Sequence, residues 1–363
     1  MHDPKFWSKK LLPYTRSSNG IAARQVLVTL VSVVVLWVAY AFLVSYSLWV
    51  AIPFAVVISL FLLRAFVLMH DCGHYSLFKS RRANQAVGFI LGVFTGMPQF
   101  VWAKNHNYHH KTNGDWDSYG GVFDIITTDE YAELTSRQKK NYWLFRQPLI
   151  LLPAGFFYVL FFPRINWLLG HLVMAYKILR PLVTLRFADS LEAARKWETK
   201  YWKTKKDYLH MSYNNLALVM VWIAMSAWLG ALPFFLLYVA STSLCGSMGI
   251  FAFTIQHNFE NSYASDTARV DHTRAAIEGT SMLMLPKVLN WFTADIAYHH
   301  LHHLSVAIPN YHLEACHHEF EDMFEDVTRV GMEDFMSTFD YQLWDPKLEK
   351  VVSRKYAESL EAS

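Results

Sequence analysis

The chain has 363 residues, of which 53% are hydrophobic and only 17% charged, with a formal net charge of +3. Soluble domains carry about a quarter charged residues, so the shortfall points to a membrane, and +3 is too small to argue for a nucleic-acid partner. Three widely separated cysteines, Cys72, Cys245 and Cys316, give neither a disulfide framework nor a zinc ribbon and read as free thiols.

The first residues are polar and basic, with Lys5, Lys9, Lys10 and Arg16 ahead of the first apolar run. No short apolar core with a cleavage site follows, so no cleaved signal peptide is expected. The basic residues predict a cytoplasmic N-terminus. Residues 21–44 and 48–69 are each apolar for the roughly 20 residues that a spanning helix needs. Their short link, 45–47, makes them a transmembrane hairpin. Residues 86–102 are shorter and contain Gly88, Gly92, Gly96 and Pro98, which predicts a membrane-associated or re-entrant helix.

Residues 149–169 are long enough to cross once, but charge opposes it. From Lys177 to Asp207 there are nine Lys/Arg against four Asp/Glu, a net +5. Translocating that segment would break the positive-inside rule, so 149–179 is expected in the interface or turning back. Within 185–207, Leu185, Phe187, Leu191, Trp197, Tyr201 and Trp202 lie among basic residues. That pattern fits a helix on an anionic membrane face and equally an ordinary basic cytoplasmic helix. Residues 216–229 and 233–254, broken at Gly230–Pro233, form a second hairpin. The charged tail from Asp322 onward carries no spanning segment. The expectation is one all-α integral-membrane unit, 1–363, with four transmembrane helices in two hairpins, 21–69 and 214–255. Membrane-associated stretches lie at 86–102 and 149–179, and a cytoplasmic histidine-rich cap is built from 70–148, 180–213 and 256–363.

Seventeen histidines are present, and most are clustered. A helix turns about 100° per residue, so positions i, i+3 and i+4 share a face. His70 and His74 are i and i+4. His106, His109 and His110 are i, i+3 and i+4, and His299, His302 and His303 repeat that spacing. His257 stands alone at the end of the last span. A lone interfacial histidine is usually just hydrogen-bonded, but three ligand-spaced clusters at one membrane face read as a metal site. Nitrogen donors suit Zn, Cu, Fe or Ni. A single zinc needs about four ligands, so eight clustered positions imply two ions, and two redox-capable ions beside an apolar bundle suggest oxygen chemistry on an apolar substrate. His257 is expected as a ninth ligand, because an unpaired imidazole after the apolar run 249–255 would cost about 1–3 kcal/mol.

The stretches HDCGHYSLFKSRRANQAVGFILG, HNYHHKTNGDWDS, QHNFENSY and LPKVLNWFTADIAYHHLHHLSVAIPNYHLEACH resemble the membrane fatty-acid desaturase family, in its bacterial and plastid acyl-lipid delta-12/omega-6-like branch. The resemblance runs from about residue 60 to 320 and is strongest at the HxxxH and HxxHH boxes. It implies a cap holding two non-haem irons that activate O2, with ligands His70, His74, His106, His109, His110, His257, His299, His302 and His303. His300 matches no ligand position and points away on helical geometry; His317 and His318 read as structural. The implied reaction removes two hydrogens from a fatty-acyl lipid or thioester, with the chain's position set by an apolar tunnel. Electrons would come from a ferredoxin-like carrier, for which the basic segment 177–206 is a docking face. The implied location is a bacterial inner membrane with the site and both termini cytoplasmic. Asp71, Asp115, Asp117, Asp271, Glu278 and Asp295 are candidates to orient the imidazoles.

A hydroxylase, an acetylenase or a decarboxylase making terminal alkenes would share every box. A metal transporter is disfavoured, since transporter sites sit near the bilayer midplane on broken helices, whereas these histidines lie at helix ends. An intramembrane zinc protease would need HExxH, which the sequence lacks.

Overall fold

A computed structural model describes residues 4–118 and 125–361; residues 119–124 of the expected cap stretch 70–148 lie outside the described residues. Its main helices are α1 (Asn19–Leu43), α2 (Ala51–His74), α3 (Arg81–Thr95), α4 (Gln99–Lys111), α5 (Pro148–Val183), α6 (Phe187–Lys196), α7 (Lys205–Leu229), α8 (Ala231–His257), α9 (His272–Ile277), α10 (His299–Leu304) and α11 (Asn310–Glu319). Among the described residues, five helical runs are long and apolar enough to cross a membrane: α1, α2 with the turn before it, α5, α7 and α8. The α3–α4 pair, bent by 101° at Gly96–Pro98, would be a sixth if it counted as one span. The fold is a mainly helical membrane protein, as composition indicates.

Both hairpins form. α1 and α2 pack together, and Tyr40 on α1 donates a hydrogen bond to the Pro233 carbonyl at the start of α8 (2.9 Å). The turn between α7 and α8 places Gly230 at φ +84, a region open to glycine at little steric cost. At the histidine end of α2, Ser17 donates to the Ser76 carbonyl (2.6 Å) and the Lys79 amide to Asn19 Oδ1 (3.0 Å). The start of α1 and the end of α2 therefore share one face.

α3 leaves that face at Ser80, whose side chain caps it, and descends to Gly96, which packs against Tyr238 on α8. α4 then climbs back to His106–His110. α5 begins at the cap, where Leu151 packs with Leu283, Val330 and Phe339. It passes Tyr158, which accepts from Trp102 Nε1 (2.8 Å), and runs back along α7 through Arg164–Asn214 (2.9 Å) and Trp167–Ser212 (2.9 Å). Its end is held by Lys177 donating to the Glu198 carbonyl (2.8 Å), close before α7. Close approach of α5 to α8 needs glycines on both sides: a Cβ on Gly155 would stand 2.2 Å from the Ser243 carbonyl oxygen, and one on Gly246 2.7 Å from that of Gly155.

The cap adds short strands to the helices: β1 (Ile126–Thr127), β2 (Met282–Met284), β3 (Arg329–Gly331), β4 (Tyr341–Asp345) and β5 (Lys350–Ser353). β4 pairs in parallel with β1 and antiparallel with β5, and β2 pairs in parallel with β3. These two sheets were not expected from the sequence; two- to five-residue strands are too short to show a period. The segment at residue 4 onward is tied into the cap, with Trp7 stacked on Phe324 at 5.1 Å. All three cysteines are buried and free, as their spacing indicates.

Candidate active site

Four helix ends deliver the histidines to one place. His70 and His74 sit one turn apart in the last turns of α2, His106, His109 and His110 end α4, His257 is the last residue of α8, and α10 carries His299, His302 and His303. The structure brings all nine together in two adjoining groups. In the first, His70, His74, His106, His110 and His302 each offer a ring nitrogen within 4.8 Å of the others. His109, His257 and His303 do the same in the second. His299 joins the second group, its Nε2 3.0 Å from His257 Nε2 and 3.1 Å from His303 Nε2. The groups touch: the rings of His110 and His303 are 4.3 Å apart, centre to centre.

The donor set fits metal ions. Within the first group, Nε2–Nε2 separations are 3.2 Å for His70–His74, 2.9 Å for His106–His110 and 2.9 Å for His110–His302. Two nitrogens at right angles about a cation, each bonded at about 2.1 Å, lie about 3.0 Å apart. Ligation also requires neutral rings. Burial, reinforced by neighbouring imidazoles, holds His299, His302 and His303 well below the ordinary imidazole range.

His300 turns away, as its helical position dictates. It is fully buried and meets His317 at 3.1 Å (Nε2 to Nδ1), with its ring 4.8 Å from Phe324. Burial pushes His317 down to about 4, so this pair is neutral cap structure. His318 lies on the surface near Glu321.

Among the carboxylates, Asp71 is 1% exposed and accepts from His70 Nδ1 (3.0 Å), from the Asn310 amide (2.8 Å) and from Asn310 Nδ2 (3.0 Å). It both aims His70 Nε2 inward and fastens the start of α11 to the end of α2. The other candidates have local structural contacts. Asp115 accepts from Thr267 Oγ1 (2.7 Å) and Asp117 from the Thr267 amide (3.0 Å). Asp271 caps α9 through the Thr273 and Arg274 amides, and Glu278 pairs with Arg274 (2.9 Å). Asp295 accepts from Asn290 Nδ2 (2.8 Å). Burial and Glu314 push the Asp295 carboxyl up to about 6 against the opposing pull of Arg64.

A cavity of about 970 Å³ has His70, His106, His109 and His299 on its wall. Its remaining lining is largely apolar, from Leu63 and Phe66 on α2 to Phe253 and Ile250 on α8, with Lys104, Lys200, Lys203, Asp207, Asn105, Asn166 and Gln256 among the polar exceptions. Ligand-spaced imidazoles beside a deep apolar cavity suit oxidative chemistry on a hydrocarbon chain.

Residues 47–332 match the model of the family described as fatty acid desaturase. The chain belongs to the fatty acid desaturase family. It is 32% identical over 355 residues to the fatty acid desaturase of Bacillus subtilis (strain 168), covering 97% of this chain and 91% of that one. It is 23% identical over 276 residues to the sn-1 oleoyl-lipid 12-desaturase of Anabaena variabilis, covering 72% and 66%. Over 81 residues, 22% of each chain, it is 31% identical to the sn-1 acyl-lipid omega-3 desaturase (ferredoxin) of a Nostoc species. The protein is thus a membrane-bound fatty acid desaturase, an oxidoreductase whose histidine groups could hold metal.

Three further residues make contacts that were not expected from the sequence, the first two of them at the histidines or their partners. Trp102 stacks on His106 at 4.7 Å. Asn310 holds Asp71 from 239 residues away. Arg64, 3% exposed in α2, places its guanidinium 4.0 Å from the Trp291 ring centre and donates to the Trp291 carbonyl. Arg64 alone carried a signal: an ionisable residue inside an apolar span needs a partner.

Proposed function

We propose that the two histidine groups hold two iron ions, the first by His70, His74, His106, His110 and His302 and the second by His109, His257, His299 and His303. The reaction converts a –CH2–CH2– unit of an acyl-lipid chain into –CH=CH–, consuming one O2, two electrons and two protons and releasing two waters. Bound iron supplies the redox chemistry that activates O2; all-nitrogen donors suit it, and a redox-silent ion does not fit this reaction. The observation that carries the reading is the adjacency of the two imidazole groups on the wall of an apolar cavity.

The chain's own residues do the rest. The cavity wall excludes water and holds the alkyl chain beside His70, His106, His109 and His299. Asp71 fixes His70 with Nδ1 toward the carboxylate and Nε2 toward the site. Electrons come from an external ferredoxin-like carrier, the kind named for the Nostoc relative, and the net positive segment 177–206 offers it a docking face. Four spans, α1, α2, α7 and α8, cross the bilayer. The α3–α4 pair and α5 leave and rejoin the histidine face, as the contacts at Lys79, Leu151 and Lys177 support. The positive-inside rule sets that face, with both termini, on the cytoplasmic side of a bacterial inner membrane.

The test is expression in a host with simple saturated and monounsaturated lipids, followed by gas chromatography of the fatty acids. New double bonds support the reading. Hydroxylated acids or terminal alkenes as the sole products, or no product in cells holding the iron-loaded protein, would refute it.

A further inference from the structure

α10 is a short helix, His299–Leu304, so the aim of its histidines depends on the chain that leads into it. That chain makes a turn in which two consecutive residues other than glycine, Ala294 and Asp295, have φ of 46 and 57°. Aspartate tolerates this left-handed region because its side chain can bond locally, and Asp295 does so, accepting from Asn290 Nδ2 at 2.8 Å. Alanine has no such bond and stands there at a steric cost. A strained conformation of this kind persists only where its surroundings hold it, and Ala294 is fully buried.

Two side chains from ligand-bearing helices hold the turn. Arg64 on α2, about 9 Å along the helix axis before His70, donates to the Trp291 carbonyl. The same carbonyl accepts from the Ala294 amide at 3.1 Å, so the guanidinium closes onto the turn itself. Phe61, one turn earlier on α2, packs edge-on against Trp291 and Phe292 with ring centres 6.0 and 5.1 Å apart. Gln256 on α8, 3% exposed, donates from Nε2 to the Ile296 carbonyl at 2.8 Å. His257 follows it directly and meets His299 at 3.0 Å, Nε2 to Nε2, so adjacent residues of α8 meet Ile296 and His299. On the cap side the Leu283 amide donates to the Ala297 carbonyl at 3.1 Å.

Resting on the reading of the imidazole groups as metal sites, we infer that Arg64 and Gln256 are positioning residues: they hold the left-handed turn Ala294–Asp295 against α2 and α8 and thereby set His299 and His303 in the second group. Neither side chain meets a metal. Each acts through a backbone carbonyl, of Trp291 or Ile296, that fixes the entry into α10. Without them the turn relaxes toward negative φ and α10 pivots. The consequence is unequal. The second group takes His299 and His303 from α10, half of its four imidazoles, whereas His302 is one of five in the first. Loosening the turn therefore weakens the second group more.

The experiment measures cobalt(II) binding to purified, metal-free protein in detergent by competition with a chelator, with thermal unfolding followed alongside. A His109→Ala reference marks the binding step that belongs to the second group. Gln256→Leu and Arg64→Met keep the bulk of each side chain and remove its donors. Each is expected to weaken second-group binding about tenfold and first-group binding by less. Ala294→Gly lets the turn take positive φ without strain, so adding it to Gln256→Leu should recover most of the lost affinity. A merely structural role predicts the opposite: both groups weakened alike, a lower melting temperature, and further loss when glycine is added. That outcome would overturn the inference, as would wild-type cobalt affinity at both groups in folded Gln256→Leu and Arg64→Met. If Arg64→Met does not fold, Gln256→Leu with and without Ala294→Gly decides the matter. Wild type that binds fewer than two cobalt ions would instead sink the underlying reading of the imidazole groups.

Discussion

Replacing Asp71 by Asn probes the link between the cap and the metal centre. The carboxylate accepts three hydrogen bonds, one from His70 and two from Asn310, at 2.8–3.0 Å in a site 1% exposed. An amide keeps one oxygen but turns an NH2 group toward a donor, so at least one bond becomes a donor–donor contact. Removing a partner that orients a ligating histidine lowers metal affinity by about 10–100-fold, or about 1.4–2.7 kcal/mol. The same change leaves the start of α11 less firmly held, and a buried donor without an acceptor costs about 1–3 kcal/mol. Purified protein is titrated with a chelator, and metal retained per chain is followed alongside thermal unfolding in detergent. Asp71→Asn should lose the first-group ion at 10–100-fold lower chelator concentration while the second persists, and should unfold earlier. Wild-type retention of both ions would refute the role assigned to Asp71.

Other substitutions separate the remaining parts of the account. His257→Ala should lose metal and turnover, while His300→Ala should keep its metals and lose about 1–3 kcal/mol of stability through the stranded His317; metal analysis and thermal melts check both. Gly155→Val should force α5 off α8, because even its Cβ falls 2.2 Å from the Ser243 oxygen, at about 1–3 kcal/mol or more, seen as a lowered melting temperature. A cysteine in the basic segment, Arg195→Cys, should resist an impermeant thiol reagent in intact cells, and ready labelling from outside would contradict the proposed topology.

Which imidazoles the structure gathers was largely readable in the sequence, because helical spacing dictates which of them share a face. His257 was readable from its place at the end of an apolar run, and His300 could be set aside by the same turn geometry that selects His299. Tertiary partners were not readable. Asp71 borders His70 in sequence and could be guessed, but Asn310 is brought to it only by the docking of α11. Asp115 and Asp117 bind Thr267, a contact made by two loops about 150 residues apart. Periodicity also could not decide α5. Its 36-residue run is long enough to cross, and the packing of Leu151 on Leu283, Val330 and Phe339 and the Lys177–Glu198 hydrogen bond are tertiary contacts that no local pattern shows. The small cap sheets were hidden for the reason that strand β1, with two residues, has no pattern of its own.

The proposed function requires two redox-active ions, one in each group of imidazoles. Elemental analysis of active protein purified from iron-replete cells tests it most directly, since the Irving–Williams order lets zinc displace Fe(II) where it is abundant. Two irons per chain are expected, with activity tracking iron content. Active protein carrying a single metal, or zinc alone, would contradict it.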